Sequence, residues 1–94
     1  MTTSIKGIFG PVITTFDRRG ELDLDAFGAN LKAHIAGGLD GVVVAGSTGE
    51  AALLEEGERQ RLVEMARSVV PSDRQLIVGT GAESTKACVR RCKE

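Results

Sequence analysis

The chain contains no Trp and no Tyr, and its three aromatic residues are all Phe. Single-stranded nucleic acid is usually held on stacking rings, and duplexes on a basic patch. Neither is present here: 12 Lys and Arg are interspersed among 13 Asp and Glu, for a net charge of −1. Nucleic acid is therefore not an expected partner. Long apolar runs are missing as well, and no segment nears the roughly 20 apolar residues of a membrane-spanning helix. Pro11 breaks the short stretch Ile8–Ile13 that follows Lys6, so a secretory leader is not expected there. The expectation is a globular cytoplasmic protein with no membrane partner. Its 94 residues suffice for a modest single core.

Metal-ligating residues are scarce. Cys88 and Cys92 stand four apart on a predicted helix and could share a face, but His34 is the only His and lies far away in sequence. Two thiolates without further ligands make an incomplete site. Free thiols in a reducing compartment are expected, with no metal and no cofactor.

What the sequence does contain is a repeated unit. Apolar, β-branched runs recur at Ile8–Thr14, Gly41–Ala45 and Leu76–Val78. Val43 and Ile77 are 34 residues apart, a period that suits a strand, a helix and two short loops. After the first run, Asp23 is a plausible N-cap for Leu24, Phe27, Leu31 and Ile35 at helical spacing, and Gly37-Gly38 ends the segment. After the second, Leu62, Val63, Ala66, Val69 and Val70 form an apolar stripe ahead of Pro71, with Arg59, Arg61, Glu64 and Arg67 expected to face water. After the third, Ser84 can cap a helix that holds Ala87, Cys88 and Val89. The order β-α-β-α-β-α predicts adjacent parallel strands with right-handed crossovers. On these patterns alone a small open three-stranded α/β domain remains an alternative.

The segment Gly46-Ser47-Thr48-Gly49-Glu50 directly follows the run Gly41–Ala45. It reads as a buried strand stopping in a tight turn. Small residues let a ligand approach the backbone, and two hydroxyls and free N–H groups suit a carboxylate or a phosphate. A phosphate- or nucleotide-binding module is thus a second reading. Against it, the turn lacks the Lys of a P-loop, and Gly79-Thr80-Gly81-Ala82-Glu83-Ser84 lacks the third Gly of a dinucleotide fingerprint. Glu50 is expected to brace the turn by accepting backbone N–H bonds rather than to act as a base. His34, at the edge of the first helical stripe, is expected to be structural.

Five segments in order resemble the dihydrodipicolinate synthase / N-acetylneuraminate lyase family. They are Gly10–Phe16, Gly20–Asp23, Gly38–Gly41, Gly46–Glu50 with Leu54 and Glu58-Arg59, and Gly79–Gly81 with Ser84-Thr85. Thr15 stands where that family usually has Pro, and Glu55 where it usually has a Ser or Thr helix cap. The resemblance implies a (β/α)8 TIM barrel that forms or cleaves C–C bonds of 2-oxo acids through a lysine Schiff base. It implies that Thr48, with adjoining N–H groups of Ser47 and Gly49, binds the carboxylate of a pyruvate-like substrate. It also implies that the Ser47 hydroxyl joins a proton relay; a turn-stabilising Ser is the alternative. A homo-oligomer is the further implication.

The resemblance covers only the first part of such a barrel, which needs eight βα units and about 250 residues. Residues 1–94 are therefore expected to be the N-terminal portion of one barrel domain. A Schiff base requires an amine whose pKa is lowered by desolvation. Lys6, Lys32, Lys86 and Lys93 all fall outside the predicted strands, and the family's tyrosine acid/base has no counterpart in a chain without Tyr. The chain alone is expected to be inactive, and a non-catalytic oligomerising fragment is a third reading.

Overall fold

Asp23 accepts a hydrogen bond from the Ala26 N–H at 3.0 Å and so starts helix α1, Leu24–Ala36, at the position its side chain predicts. In the computed structural model, which describes residues 4–94, three strands and three α-helices alternate along the chain. Strand β1 is Phe9–Pro11, β2 is Gly41–Val44 and β3 is Gln75–Val78; helices α2 and α3 span Glu56–Val69 and Thr85–Lys93. The strands are parallel and adjacent in the order β1-β2-β3, as expected.

β1 is shorter than the apolar run Ile8–Thr14. Its partner ends at Val44 because Ala45 turns into the left-handed region, at φ 55. Beyond the bond from Val12 N–H to Val43 O, Ile13 and Thr14 have no strand beside them. β3 gains one residue at its start, where Gln75 N–H donates to Asp40 O at 3.0 Å.

The core lies between one face of the sheet and the first two helices. Val42 and Val44 of β2, with Val12 just past the end of β1, meet Phe27 and Leu31 of α1 and Leu62 and Ala66 of α2, all buried. Each large apolar side chain so buried stabilises by roughly 1.5–3 kcal/mol. α3 buries no residue fully and is tied down by polar contacts. Ser84 caps it as expected, accepting from Ala87 N–H at 3.1 Å. On α2, the Glu58 carboxylate accepts the Glu55 N–H at 3.0 Å, so a Glu at the cap position still forms part of a capping box.

One expectation is overturned on α2. Arg59 does not face water: it is 6% exposed, on the same helical face as Leu62 and Ala66. Arg61, Glu64 and Arg67 are exposed. His34 is half-buried, with Nδ1 2.7 Å from Asn30 O, a structural placement. No described helix is long and apolar enough to cross a membrane.

Candidate functional site

Because the strands are parallel, the residues that follow them gather at one end of the sheet. Thr14 lies beyond β1, Gly46–Glu50 beyond β2 and Gly79–Gly81 beyond β3. The turn after β2 is closed by its own backbone. Glu50 N–H donates to Ser47 O at 3.0 Å, and Ala51 N–H to Gly46 O at 3.2 Å. A 3-10 turn over Ala51–Leu53, not anticipated from the sequence, then leads to α2.

Ser47 and Thr48 are exposed on this turn, whereas Gly49 is buried beneath it. Thr14, 6% exposed, donates its hydroxyl to Gly49 O at 2.5 Å and so fastens the turn to the end of β1. A Cβ on Gly49 would lie 3.1 Å from Val12 O and 3.3 Å from the Thr14 hydroxyl, which explains a glycine there. Ser47 and Thr48 are thus the hydroxyls left free to meet a ligand, on a backbone fixed from below.

Glu50 behaves differently from the expectation. Its residue sits at φ 60, ψ 39, in the left-handed region, and its side chain makes no capping hydrogen bond. The carboxylate is exposed. The turn is braced by the Glu50 main chain, and Glu50 lines a groove of roughly 930 Å³. That groove runs between the β2–α2 and β3–α3 connections; Ser47, Leu53, Leu54, Glu83, Ser84 and Arg91 are among its walls. It takes in Ser47 but not Thr48.

Two arginines play parts that the sequence did not predict: Arg59 was expected in water, and Arg91 carried no expectation. Arg59 donates from Nε and Nη2 to Gly79 O, at 3.2 and 2.9 Å. Arg91 of α3 pairs with Glu56, Nε to Oε1 at 2.6 Å, and also donates to Gly81 O. The glycine loop after β3 is therefore gripped at both ends by guanidinium groups. The spacing of Arg59 from Leu62 and Ala66 is the signal that could have found the first of them; nothing in the sequence marks the second.

The amines lie elsewhere. Lys6 precedes β1, Lys32 is on α1, and Lys86 and Lys93 are on α3, all exposed. Among the described residues no strand carries a Lys, and no three His, Cys, Asp or Glu side chains are grouped to hold a metal ion. Cys88 and Cys92 are free thiols, the latter 3.4 Å from the Thr80 hydroxyl.

An ordered parallel βα array with its small, hydroxyl-bearing turns gathered at the strand C-termini is how a (β/α)8 barrel presents its ligand-facing rim. The solved structures agree. The chain superposes on dihydrodipicolinate synthase from Aquifex aeolicus with a TM-score of 0.86 and 31% identity, covering 93% of this chain and 29% of that one. It superposes equally well on YagE, a prophage protein of the dihydrodipicolinic acid synthase family from E. coli K12 in complex with pyruvate. There the TM-score is 0.86 and the identity 30%, over 93% of this chain and 29% of YagE. The fold is thus that of the first three βα units of a TIM barrel.

The chain belongs to the dihydrodipicolinate synthetase family, whose family model matches residues 4–94. Among its curated relatives, the 4-hydroxy-tetrahydrodipicolinate synthase of Xanthomonas campestris is 40% identical over 90 residues, 96% of this chain. That of Thermotoga neapolitana is 34% identical over 89 residues. The chain spans about 30% of the length of these relatives.

Proposed function

We propose that residues 1–94 form the N-terminal portion of one barrel domain of a 2-oxo-acid lyase or synthase, and that they supply its carboxylate-binding corner. The Thr48 hydroxyl and the N–H groups of Ser47 and Gly49 take the carboxylate of a pyruvate-like substrate. Hydrogen bonds to a charged acceptor are shorter and stronger than neutral ones, so this contact sets the orientation of the reacting carbonyl. Ser47 passes a proton between that centre and acid/base groups contributed from elsewhere. The amine that forms the Schiff base and the tyrosine acid/base come from outside this chain. The complete enzyme is a cytoplasmic homo-oligomer that makes or breaks a C–C bond of its substrate.

One observation carries this reading: Ser47 and Thr48 are exposed on a turn locked from beneath through the buried Thr14–Gly49 hydrogen bond. A ligand meets donors that are already in place, so little ordering is needed on binding. The family membership and the pyruvate complex of YagE support the substrate class.

The test is an NMR titration of the 15N-labelled chain with pyruvate, with acetate and inorganic phosphate as comparisons. Pyruvate is expected to shift the amides of Ser47, Thr48 and Gly49 selectively. Thr48→Val should weaken binding roughly ten- to a hundred-fold, the equivalent of one lost charge-assisted hydrogen bond. Tighter binding of phosphate would favour a phosphate-binding module, and no response at the turn would sink the carboxylate assignment.

A further inference from the structure

The geometry points to Arg59 as a positioning residue that holds the carboxylate-binding turn in its working shape through Gly79. The inference rests on the role proposed above for Ser47–Gly49, and it assigns the task of fixing that turn to a side chain on the far side of the sheet end.

Arg59 is an expensive residue to keep where it is. It is 6% exposed, and among the described residues no carboxylate lies within ion-pair distance of it. A buried charge without a counter-charge destabilises a fold, and an apolar side chain of similar volume would serve packing as well or better. Its compensation is a single acceptor: Nε and Nη2 both converge on Gly79 O. Only a planar guanidinium presents two donors at that spacing.

Gly79 in turn touches the strand end that launches the turn. Its N–H donates to Val44 O at 2.9 Å. Its Cα faces the Ala45 carbonyl so closely that a Cβ would overlap the oxygen and lie 3.5 Å from Gly46 N. Ala45 has φ 55, a conformation that costs a non-glycine residue energy and persists only where its surroundings enforce it. That one residue diverts the chain out of β2 and into Gly46-Ser47-Thr48-Gly49. Thr14 restrains the turn from the β1 side, at Gly49; Gly79, anchored by Arg59, restrains it from the β3 side, at Ala45. The Gly79 carbonyl is also drawn down toward α2, which keeps its partial negative charge from an incoming carboxylate.

The experiment uses the full chain with Arg59→Met, which fills the volume without donating, and Arg59→Lys, which keeps the charge and one line of donation. Amide hydrogen exchange and pyruvate-induced shifts are read residue by residue, with the amides of Val42, Val44 and Leu31 reporting on the core. In Arg59→Met, exchange at Glu50 and Ala51, whose N–H groups close the turn, and at Gly79, whose N–H donates to Val44 O, should accelerate by about tenfold or more while core exchange is unchanged. The pyruvate response at the turn should weaken by a similar factor, and Arg59→Lys should recover part of both. Unchanged exchange at Glu50, Ala51 and Gly79 in a folded Arg59→Met chain would overturn the inference. So would failure of both variants to fold, since Arg59 would then hold the core rather than the turn. If the unsubstituted chain ignores pyruvate, the carboxylate reading fails, and the exchange measurement still decides the role of Arg59.

Discussion

Ile8 and Asp40 exchange two hydrogen bonds across the start of the sheet. The Asp40 N–H donates to Ile8 O at 2.9 Å, and the Ile8 N–H donates to Asp40 Oδ2 at 2.7 Å. Asp40 O also accepts from Gln75 N–H, so one residue aligns the beginnings of all three strands. Removing the carboxylate in Asp40→Ala should cost about 1 kcal/mol, the net worth of one partly solvated hydrogen bond. Asp40→Asn, which keeps an acceptor, should lose less. Urea denaturation of the two variants checks the order, and equal stability of Asp40→Ala and the unsubstituted chain would contradict it.

At the opposite end, Thr14→Val keeps the shape of the side chain and removes the donor to Gly49 O. The carbonyl is then left buried and unpaired, at a cost of roughly 1–3 kcal/mol. A chemical denaturation midpoint reports the loss. A midpoint unchanged from the parent would mean that the turn is not fastened through this bond.

Glu50 separates main-chain from side-chain bracing. Glu50→Gln should leave the thermal midpoint unchanged, because the carboxylate makes no capping bond. Glu50→Asn should also be tolerated, since Asn accepts left-handed backbone. Glu50→Val should lose about 1–2 kcal/mol, because a β-branched residue at φ 60 is strained. Destabilisation by Glu50→Gln would restore the carboxylate as the brace.

A methyl group distinguishes the two glycines of the loop after β3. At Gly81 it would meet nothing within 4 Å; at Gly79 it would strike the Ala45 carbonyl. Gly79→Ala is therefore expected to destabilise by roughly 1–3 kcal/mol, as overpacking does, and Gly81→Ala to be near neutral. Calorimetric midpoints of both variants decide the matter, and a neutral Gly79→Ala would show the contact to be readily relieved.

Incubation of the isolated chain with pyruvate and borohydride, followed by mass spectrometry, should give no stoichiometric adduct. Lys6, Lys32, Lys86 and Lys93 are all exposed and lie outside the strands, so none has the enclosed apolar setting in which nucleophilic lysines work. A specific adduct at one of them would place the covalent chemistry within these residues.

Much of this fold can be read from local signals. Asp23 and Ser84 announce helix starts because a side-chain oxygen one step before an apolar pattern has few other uses, and Gly37-Gly38 stops α1 for want of helical preference. The turn Gly46–Gly49 stands out because glycines and hydroxyls interrupt a β-branched strand. Arg59 was hidden by its charge: residue type argued for solvent while its spacing from Leu62 and Ala66 argued for the core, and the acceptor that resolves the conflict is 20 residues away at Gly79. The left-handed backbone of Ala45 and Glu50 left no trace in the sequence, since neither residue type favours it. That strain is imposed by tertiary neighbours.

The registry of the sheet has a kinetic consequence. Phe9 pairs with Gly41 and Gly41 with Gln75, so the two strand pairings close loops of 32 and 34 residues. Loop-closure entropy depends only weakly on length, which makes the two events nearly equal in cost. Neither pairing waits on the other, and neither brings together the distant ends of the chain. The sheet can grow from β2 in either direction, so each βαβ unit can assemble as its last strand becomes available.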